Sequence, residues 1–530
     1  MRSRFFLPKF NYKRSFTGFA RYLSDSSSKI SNDSIRGTFY MEAYGCQMNF
    51  SDSEVAHSIL QNARFKKVSD FRDADTVLLL TCAVREGAEE KIWRRMRYLR
   101  STPRKKDHPD LRIGILGCMA ERLKEKLIEG RFIQDREVSA DFVCGPDAYR
   151  DLPLLIEDVH ERGIKGASLA LSLEETYADI KPIRHMGPSA FISVMRGCDN
   201  MCSFCIVPFV RGRERSRPLK SIIDEIQQLS SEGVKEITLL GQNVNSYRDI
   251  SAGVDPIDCT IDTLAPGFKT IYRQKVGGYR FINLLDAASS VDPNMRIRFT
   301  SPHPKDFNTN VLQLIAERPN ICSQLHLPAQ SGSSVVLERM RRGYTREAYL
   351  ELVEQAKSII PNIAISSDFI AGFCGETDED HYQTLSLINH VSYAYGFCFP
   401  FSLRSKTRAF HRLVDDIPQE IKSTRHEELK HALRTSAYQF NRGLIGTTQL
   451  ALVESVSKRS ASELAGRVDG GVKAIFPKFL PDSSEIQIGD YVALRIESCT
   501  SQTLRAIPLR KTNVVEFYGE SQRHHNISAL

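Results

Sequence analysis

No apolar run in this chain of 530 residues approaches the roughly 18 to 20 residues that cross a bilayer. A spanning helix is therefore excluded, and the chain is expected to be soluble or at most peripheral. Cysteine is scarce: twelve residues, thinly spread, cannot make a disulfide scaffold in a protein this long. Where they stand carries more information than how many there are. Acidic residues are missing from one place. Residues 1–24 hold Arg2, Arg4, Lys9, Lys13, Arg14 and Arg21 and no Asp or Glu. Taking these six from the net charge of +8 leaves +2 for residues 25–530, so most of the excess sits at one end.

That end is also rich in Phe and Ser and has no continuous apolar core, which argues against a secretory signal and for an organellar leader. A disordered basic tail is the plainer alternative. Residues 1–35 are expected to direct import into mitochondria, with cleavage near Arg21–Asp25. The ordinary share of apolar and charged residues, at 41% and 26%, fits several soluble domains.

Three blocks follow. Over 36–162, strand-like runs (GTFYMEAYG, DTVLLLTCA, LRIGILGCMA, DFVCG) alternate with helix-like ones, the pattern of a parallel α/β sheet. Residues 163–188 read as a linker. Over 184–440 the strand–helix unit recurs about six times, with strands expected from Phe191, Glu236, Arg296, Ser323, Ala364 and Tyr395. Six units make a partial (β/α)6 barrel, smaller than the closed eight-unit form. Residues 250–280, rich in Asp, Gly, Pro and Thr, read as a surface insertion. From 442 to 512 short alternating runs and Gly-bearing turns predict a small all-β barrel, with 513–530 as a tail.

The chemistry lies in GCDNMCSFCIVPF, where Cys198, Cys202 and Cys205 form CxxxCxxC after a strand-like run. Chance would place this spacing in such a chain roughly 0.006 times. Three thiolates can hold three irons of a cubane cluster and leave the fourth open. An open iron can chelate the amino and carboxylate groups of S-adenosylmethionine (SAM). Structural zinc wants a fourth ligand, and the nearest choices, His185 and Cys259, are poorly placed. A second set is dispersed: Cys46 in YGCQMN, Cys82 in LLTCAVRE and Cys118 in LGCMAER each end a strand-like run. All three would project from one carboxyl edge, where open α/β sheets place ligands. Cys144 in FVCGP ends a strand too, so it is either a further member of this set or a decoy. On the residues alone, inert buried cysteines explain the dispersed set as well as a second metal site does.

In order along 36–512, YGCQMN, LLTCAVRE, GCMAER, RGCDNMCSFCIVPFVRGRERSRP, LLGQNVNSY, FTSPHP, LHLPAQSGS and SSDFIAGF resemble the radical-SAM tRNA methylthiotransferases. RSKTRAFHRLVDDIP and the insertion look most like the eukaryotic mitochondrial branch. Cys374 in GFCGET departs from the proline usual in bacterial relatives, which puts the detail of the adjacent pocket in doubt. The resemblance implies a second [4Fe–4S] cluster on Cys46, Cys82 and Cys118 beside the SAM-cleaving one. It implies cleavage of SAM to methionine and a 5′-deoxyadenosyl radical, hydrogen abstraction from carbon two of an adenine, and transfer of a methylated sulfur to that carbon. A low-potential, ferredoxin-like electron donor and iron–sulfur assembly machinery follow as partners, and the mitochondrial matrix as the compartment. Gln242, Asn243, Asn245, Ser301, Gln330, Ser331 and Asp368, at strand ends, are the expected SAM-pocket residues. Each could equally be a satisfied turn residue.

Arg211, Arg213, Arg215 and Arg217 alternate in RGRERSRP, so an extended segment would turn all four to one RNA-facing side. A solvated charge run interleaved with Glu214 is the bland alternative. Arg94, Arg95, Arg97, Arg100, Arg104, Lys105 and Lys106 form a longer basic stretch. The C-terminal block resembles the TRAM RNA-binding module, offering Lys458, Arg459, Lys473, Lys478 and Arg505 to phosphates. The expected partner is a tRNA anticodon stem-loop, because RNA is read mainly where its bases are unstacked. The leading reading is methylthiolation of N6-isopentenyladenosine immediately 3′ of the anticodon in mitochondrial tRNA. Two others stand beside it. One is the same chemistry on threonylcarbamoyl-adenosine or on a ribosomal protein. The other is a regulatory protein binding a kinase-activator subunit, which the six cysteines disfavour as a sole role.

Overall fold

The computed structural model describes residues 35–83, 86–103, 110–134, 136–184, 187–251, 266–269 and 277–520. The leader, Arg104, Lys105, Lys106, most of the insertion and the last ten residues lie outside the described residues.

The first domain is a six-stranded sheet in the order Phe65–Lys67, Gly37–Ala43, Thr76–Thr81, Arg112–Gly117, Phe142–Cys144, Gly166–Ser168. Every neighbouring pair is parallel. All six residues of Thr76–Thr81 are buried, as a central strand covered by helices on both faces requires. The sequence predicts four of these strands. The two it misses are three-residue edge strands, too short to show a period. One of them falls inside the expected linker, which is no passive tether. Its Tyr177 is 3% exposed and stacks on Tyr149, and its Glu175 and Asp179 both pair with Arg150.

The second domain has the six barrel strands Ser189–Ser193, Glu236–Leu240, Arg296–Phe299, Gln324–His326, Ala364–Ala371 and Tyr395–Pro400. They form two parallel three-stranded sheets, joined through the bridge Ile297↔Ile321, and the curve stays open between its first and last strands. Alternate residues take opposite sides. Ile237, Leu239, Ile297, Leu325, Ile365 and Phe369 enter the outer core beneath the helices. Their neighbours, including Glu236, Thr238, Arg298, His326 and Asp368, line the inside.

The third domain is a closed barrel in the order Thr448–Val456, Glu463–Val468, Lys473–Pro477, Thr503–Thr512, Tyr491–Cys499. The helix Gln419–Gly443 leads into it. This barrel seats its turn at Asp469 against the amino ends of the larger barrel's strands. Arg298 donates to Val468 O at 3.0 Å and Asp469 O at 2.8 Å, and Arg296 to Arg467 O at 3.0 Å. Tyr491 Oη donates to Lys235 O at 2.6 Å. Residues of the expected tail join in, since Val514 is fully buried with Leu450, Leu452 and Tyr491. No helix among the described residues is long and apolar enough to cross a membrane.

Candidate functional site

Both cysteine sets sit at carboxyl ends of parallel strands. Cys46 caps the helix Gln47–Asn62 directly after the strand Gly37–Ala43 and its turn. Cys82 follows Thr76–Thr81, and Cys118 opens the helix Cys118–Leu123 after Arg112–Gly117. Three adjacent strands thus deliver three thiols to one edge. Gly45, at φ +113°, permits their approach, because a Cβ there would lie 2.6 Å from Cys82 Cβ. Cys46 is the exposed member; Cys82 and Cys118 are buried. The Cys46 thiol is lowered to about 6, first by a hydrogen bond with Cys82 and further by the Arg211 guanidinium. Burial pushes the Cys118 thiol up, with Arg211 opposing it. The decoy is inert. Cys144 is fully buried, donates to Ala148 O at 3.2 Å, and its thiol is pushed well up by burial.

The contiguous set is held by its own loop. Gly197, at φ +78°, has the Arg213 carbonyl 2.0 Å from where a Cβ would stand, so no other residue fits there. Cys198 N donates to Gly212 O at 3.2 Å, and Cys205 N to Cys202 O at 3.0 Å. Ser203 fastens the middle of the loop to Arg339 O and Met340 O. Arg342, buried, donates to Cys202 Sγ at 3.3 Å. Burial raises the Cys198 thiol, and raises Cys205 to about 12, with the neighbouring thiols adding to both shifts. For Cys198 the Glu214 carboxylate adds more than the thiols do, and a bound cation would relieve both shifts.

The two sets share an interface. Ala83 and Cys118 from the first domain pack with Ile206, Phe209 and Val210 from the helix after Cys205 in one apolar cluster. Buried ion pairs flank it: Arg196 with Asp52 at 2.8 Å, Arg211 with Asp52 at 2.7 Å, Arg215 with Asp147 at 2.9 Å. This corrects the expected arginine stripe. Arg211, Arg215 and Arg217 are 2%, 6% and 6% exposed, and Arg217 pairs with Glu225 inside its own domain. Only Arg213 reaches solvent, beside Asp199. The four do not share a face: three turn inward to carboxylates and Arg213 turns outward.

Of the expected SAM-pocket residues, several are committed to the protein itself. Asn245 clamps the His303 backbone, donating to its carbonyl at 2.9 Å and accepting from its N–H at 2.8 Å. Asn243 accepts from His303 N–H and donates to Asp306. Ser331 is 1% exposed and accepts from Ser333 N–H. Gln242 accepts from Gly197 N–H at 2.6 Å and so orients the cysteine loop. Ser301 and Gln330, at φ +58° and +71°, turn the chain at the barrel mouth. Asp368 stays on the inner wall, 3.4 Å from His326 Nε2. Sequence reasoning missed His326 and Phe397, which parity along the strands would have found. Phe397 pairs with Asp368 in register, while Phe369 and Cys398 pack outward, so Phe397 lies on the inner face, half exposed.

Residues 192–388 match the Radical SAM superfamily, 38–138 the Uncharacterized protein family UPF0004 and 442–509 the TRAM domain. The human mitochondrial tRNA methylthiotransferase CDK5RAP1 is 54% identical over 500 residues, covering 90% of this chain and 82% of that protein. The tRNA-2-methylthio-N(6)-dimethylallyladenosine synthase of Chloroherpeton thalassium is 49% identical over 465 residues, 88% of this chain and 94% of that one. The chain belongs to the radical-SAM tRNA methylthiotransferase family. Membership brings a [4Fe–4S] cluster and SAM. Among solved structures, the radical SAM methyltransferase TsrM of Kitasatospora setae is similar at 13% identity and a TM-score of 0.44, over 70% of this chain and 76% of that one.

The basic residues divide by partner. In the helix Glu86–Ser101, Arg95 pairs with Glu42, Arg97 with Gln134 and Arg100 with Asp141, leaving Arg94 the more outward. On the small barrel, Lys458 and Arg459 are exposed on one loop and Lys473 is half-buried. Lys478 and Arg505 pair with Glu485 and Glu463.

Proposed function

We propose that this protein is a mitochondrial matrix enzyme that converts N6-isopentenyladenosine to its 2-methylthio form, immediately 3′ of the anticodon in tRNA. In this reading Cys198, Cys202 and Cys205 hold the SAM-cleaving cluster, and Cys46, Cys82 and Cys118 hold a second [4Fe–4S] cluster. The observation that supports it best is the shared interface: one apolar cluster contains both Cys118 and the helix that follows Cys205. The relatives named as tRNA methylthiotransferases and as 2-methylthio-dimethylallyladenosine synthases, one of them mitochondrial, point the same way.

When bound, the clusters and SAM supply reductive cleavage of SAM and the sulfur to be transferred. The chain's own residues supply placement. Gln242 and Gly197 fix the cysteine loop, and Arg342 offers positive charge to Cys202. Ile206, Phe209 and Val210 keep water from the space between the triads, where a reactive radical would otherwise be quenched. His326 and Asp368 present polar atoms on the inner wall for SAM, and Phe397 beside them offers an aromatic surface. Such a surface suits an adenine or an apolar tail. A buried five-carbon tail contributes at most about 3 to 4 kcal/mol, at ~0.8 kcal/mol per CH₂.

RNA reaches the site from the other end of the barrel. The small barrel docks at the strands' amino ends, whereas the cysteines stand at their carboxyl ends. An RNA touching Lys458, Arg459 and Lys473 must therefore run the length of the strands to insert its base. Removing the small barrel is a poor test of RNA binding, because Arg296 and Arg298 would lose their buried partners. Replacing Lys458, Arg459 and Lys473 with Ala is the cleaner test, weakening tRNA binding and flattening its salt dependence. The deciding experiment supplies isopentenylated and unmodified mitochondrial tRNA, with SAM and a low-potential reductant, and measures nucleosides by mass spectrometry. A methylthio product on the isopentenylated tRNA is expected. Equal reaction of the two tRNAs would sink the substrate assignment.

A further inference from the structure

Arg211 belongs to the barrel domain, following the helix Val207–Val210 shortly after Cys205. Its side chain nevertheless ends among the cysteines of the first domain. Nε donates to Cys118 Sγ at 3.1 Å, Nη2 donates to Asn49 Oδ1 at 3.2 Å, and Nη2 pairs with Asp52 Oδ2 at 2.7 Å. The remaining nitrogen, Nη1, is buried and has no hydrogen-bond partner among the described residues. The guanidinium also acts electrostatically on both Cys46 and Cys118, and Asp52 acts on both in the opposite sense. Asp52 is held in turn by Arg196 and by the Tyr149 hydroxyl at 3.2 Å.

We propose that Arg211 is the positioning residue that sets the redox balance of the cluster on Cys46, Cys82 and Cys118, by donating from Nε to the Cys118 sulfur and holding a buried positive charge beside it. The proposal rests on the reading that this triad holds a cluster. One-electron reduction adds a negative charge to the cluster. A buried cation within hydrogen-bond reach stabilises that charged state more than the oxidised one, and hydrogen bonds to the sulfurs act in the same direction. Because the cation comes from the barrel domain, the second cluster attains its working potential only when the two domains are docked. Arg342 makes one similar bond to Cys202, but its other nitrogens are occupied by Pro328 O and the Tyr344 hydroxyl. Arg342 also belongs to the same domain as Cys202, whereas Arg211 reaches its cysteine across the domain interface.

The test uses full-length protein, reconstituted anaerobically, with Cys198, Cys202 and Cys205 replaced by Ala so that one cluster remains. Iron is counted first, and the midpoint is then read by a reductive titration followed by electron paramagnetic resonance. R211Q should favour the oxidised form at least tenfold, a shift of ~59 mV downward for a one-electron couple. R211K, which keeps the charge and loses the fork, should shift less. D52N removes an opposing charge and should move the midpoint upward. A loosened domain interface would move R211Q and D52N in one direction, and that result overturns the proposal, as does an unchanged midpoint in R211Q with iron retained. If R211Q fails to hold iron, the opposed signs expected of R211K and D52N decide. Absence of iron from the starting protein would instead overturn the two-cluster reading, and the proposal with it.

Discussion

The two cysteine triads differ in how their geometry is made. Cys198, Cys202 and Cys205 are fixed by one loop, whose shape depends on Gly197, Gly212 and the tie from Ser203. Cys46, Cys82 and Cys118 come from three separate strand ends, and their counter-charge, Arg211, comes from another domain. The local triad needs its loop and the ties to Arg339, Met340 and Arg342, all within one domain. A dispersed one waits on the whole sheet and on domain docking, so it should be the more fragile of the two.

The strongest way to break this comparison is to remove each set. Replacing Cys198, Cys202 and Cys205 with Ala should halve the iron of anaerobically purified protein and abolish SAM cleavage. Replacing Cys46, Cys82 and Cys118 should halve the iron but leave 5′-deoxyadenosine formation measurable by chromatography. Full iron in the second variant would mean that the dispersed cysteines hold none.

A subtler break leaves every cysteine in place. G197A puts a methyl group 2.0 Å from the Arg213 carbonyl, and backbone cannot step aside there. G45A meets Cys82 Cβ at 2.6 Å. Both residues hold positive φ, which adds strain for any side chain. Each variant should lower iron only at its own triad, G197A to near nothing and G45A by part. Iron analysis combined with SAM-cleavage rate separates the two, and loss of both functions in either variant would count against independent triads.

How much of this was legible without the fold follows the same division. CxxxCxxC could be read directly, because its ligands are neighbours along the chain. Cys46, Cys82 and Cys118 could be placed on one sheet edge by counting strand ends, but nothing in their spacing separated them from Cys144. That distinction needed the fold, in which Cys144 points into the core and donates to Ala148 O. The RGRERSRP arginines were misjudged for a physical reason. Alternation sets side chains on one face only in an extended segment, and here the chain turns out of the helix Val207–Val210, so Arg211, Arg215 and Arg217 reach carboxylates inside while Arg213 meets water. Asn243, Asn245 and Ser331 carry a similar ambiguity: a polar residue at a strand end serves a ligand, a turn or both, and all three here bond to turn backbone. The barrel strands themselves were found nearly to the residue, since each is a short run of strand-forming residues set between helices.

Thiol chemistry sharpens the contrast further. In metal-free protein Cys46 is exposed and lowered to about 6, while Cys205 is raised to about 12 by burial and the Cys202 thiol. At pH 7 the first is therefore mostly thiolate and the second is protonated. Iodoacetamide should label Cys46 first, at a rate that falls as the pH drops through about 6, as peptide mass spectrometry would show. Earlier labelling of Cys205 would contradict the arrangement of charge around Arg211.

The smallest effects separate neighbours within the arginine run. Arg215 donates from one nitrogen to both Asp147 oxygens, at 2.9 and 3.0 Å, and is 6% exposed. R215Q leaves Asp147 buried with the Ser172 N–H at 3.1 Å and, as its cation, Arg196 at 3.5 Å. Breaking such a buried pair costs about 3 to 5 kcal/mol, and here it would also loosen the interface that brings the triads together. Arg213 lies two residues earlier with a side chain 72% exposed, and its pair with Asp199 is worth about 0 to 1 kcal/mol. R213Q should therefore leave the urea midpoint almost where it was, while R215Q should lower it strongly and reduce iron at the dispersed triad before the local one. A comparable loss of stability in both variants would show that the run acts as one surface patch, and the inward-facing account of its alternation would be wrong.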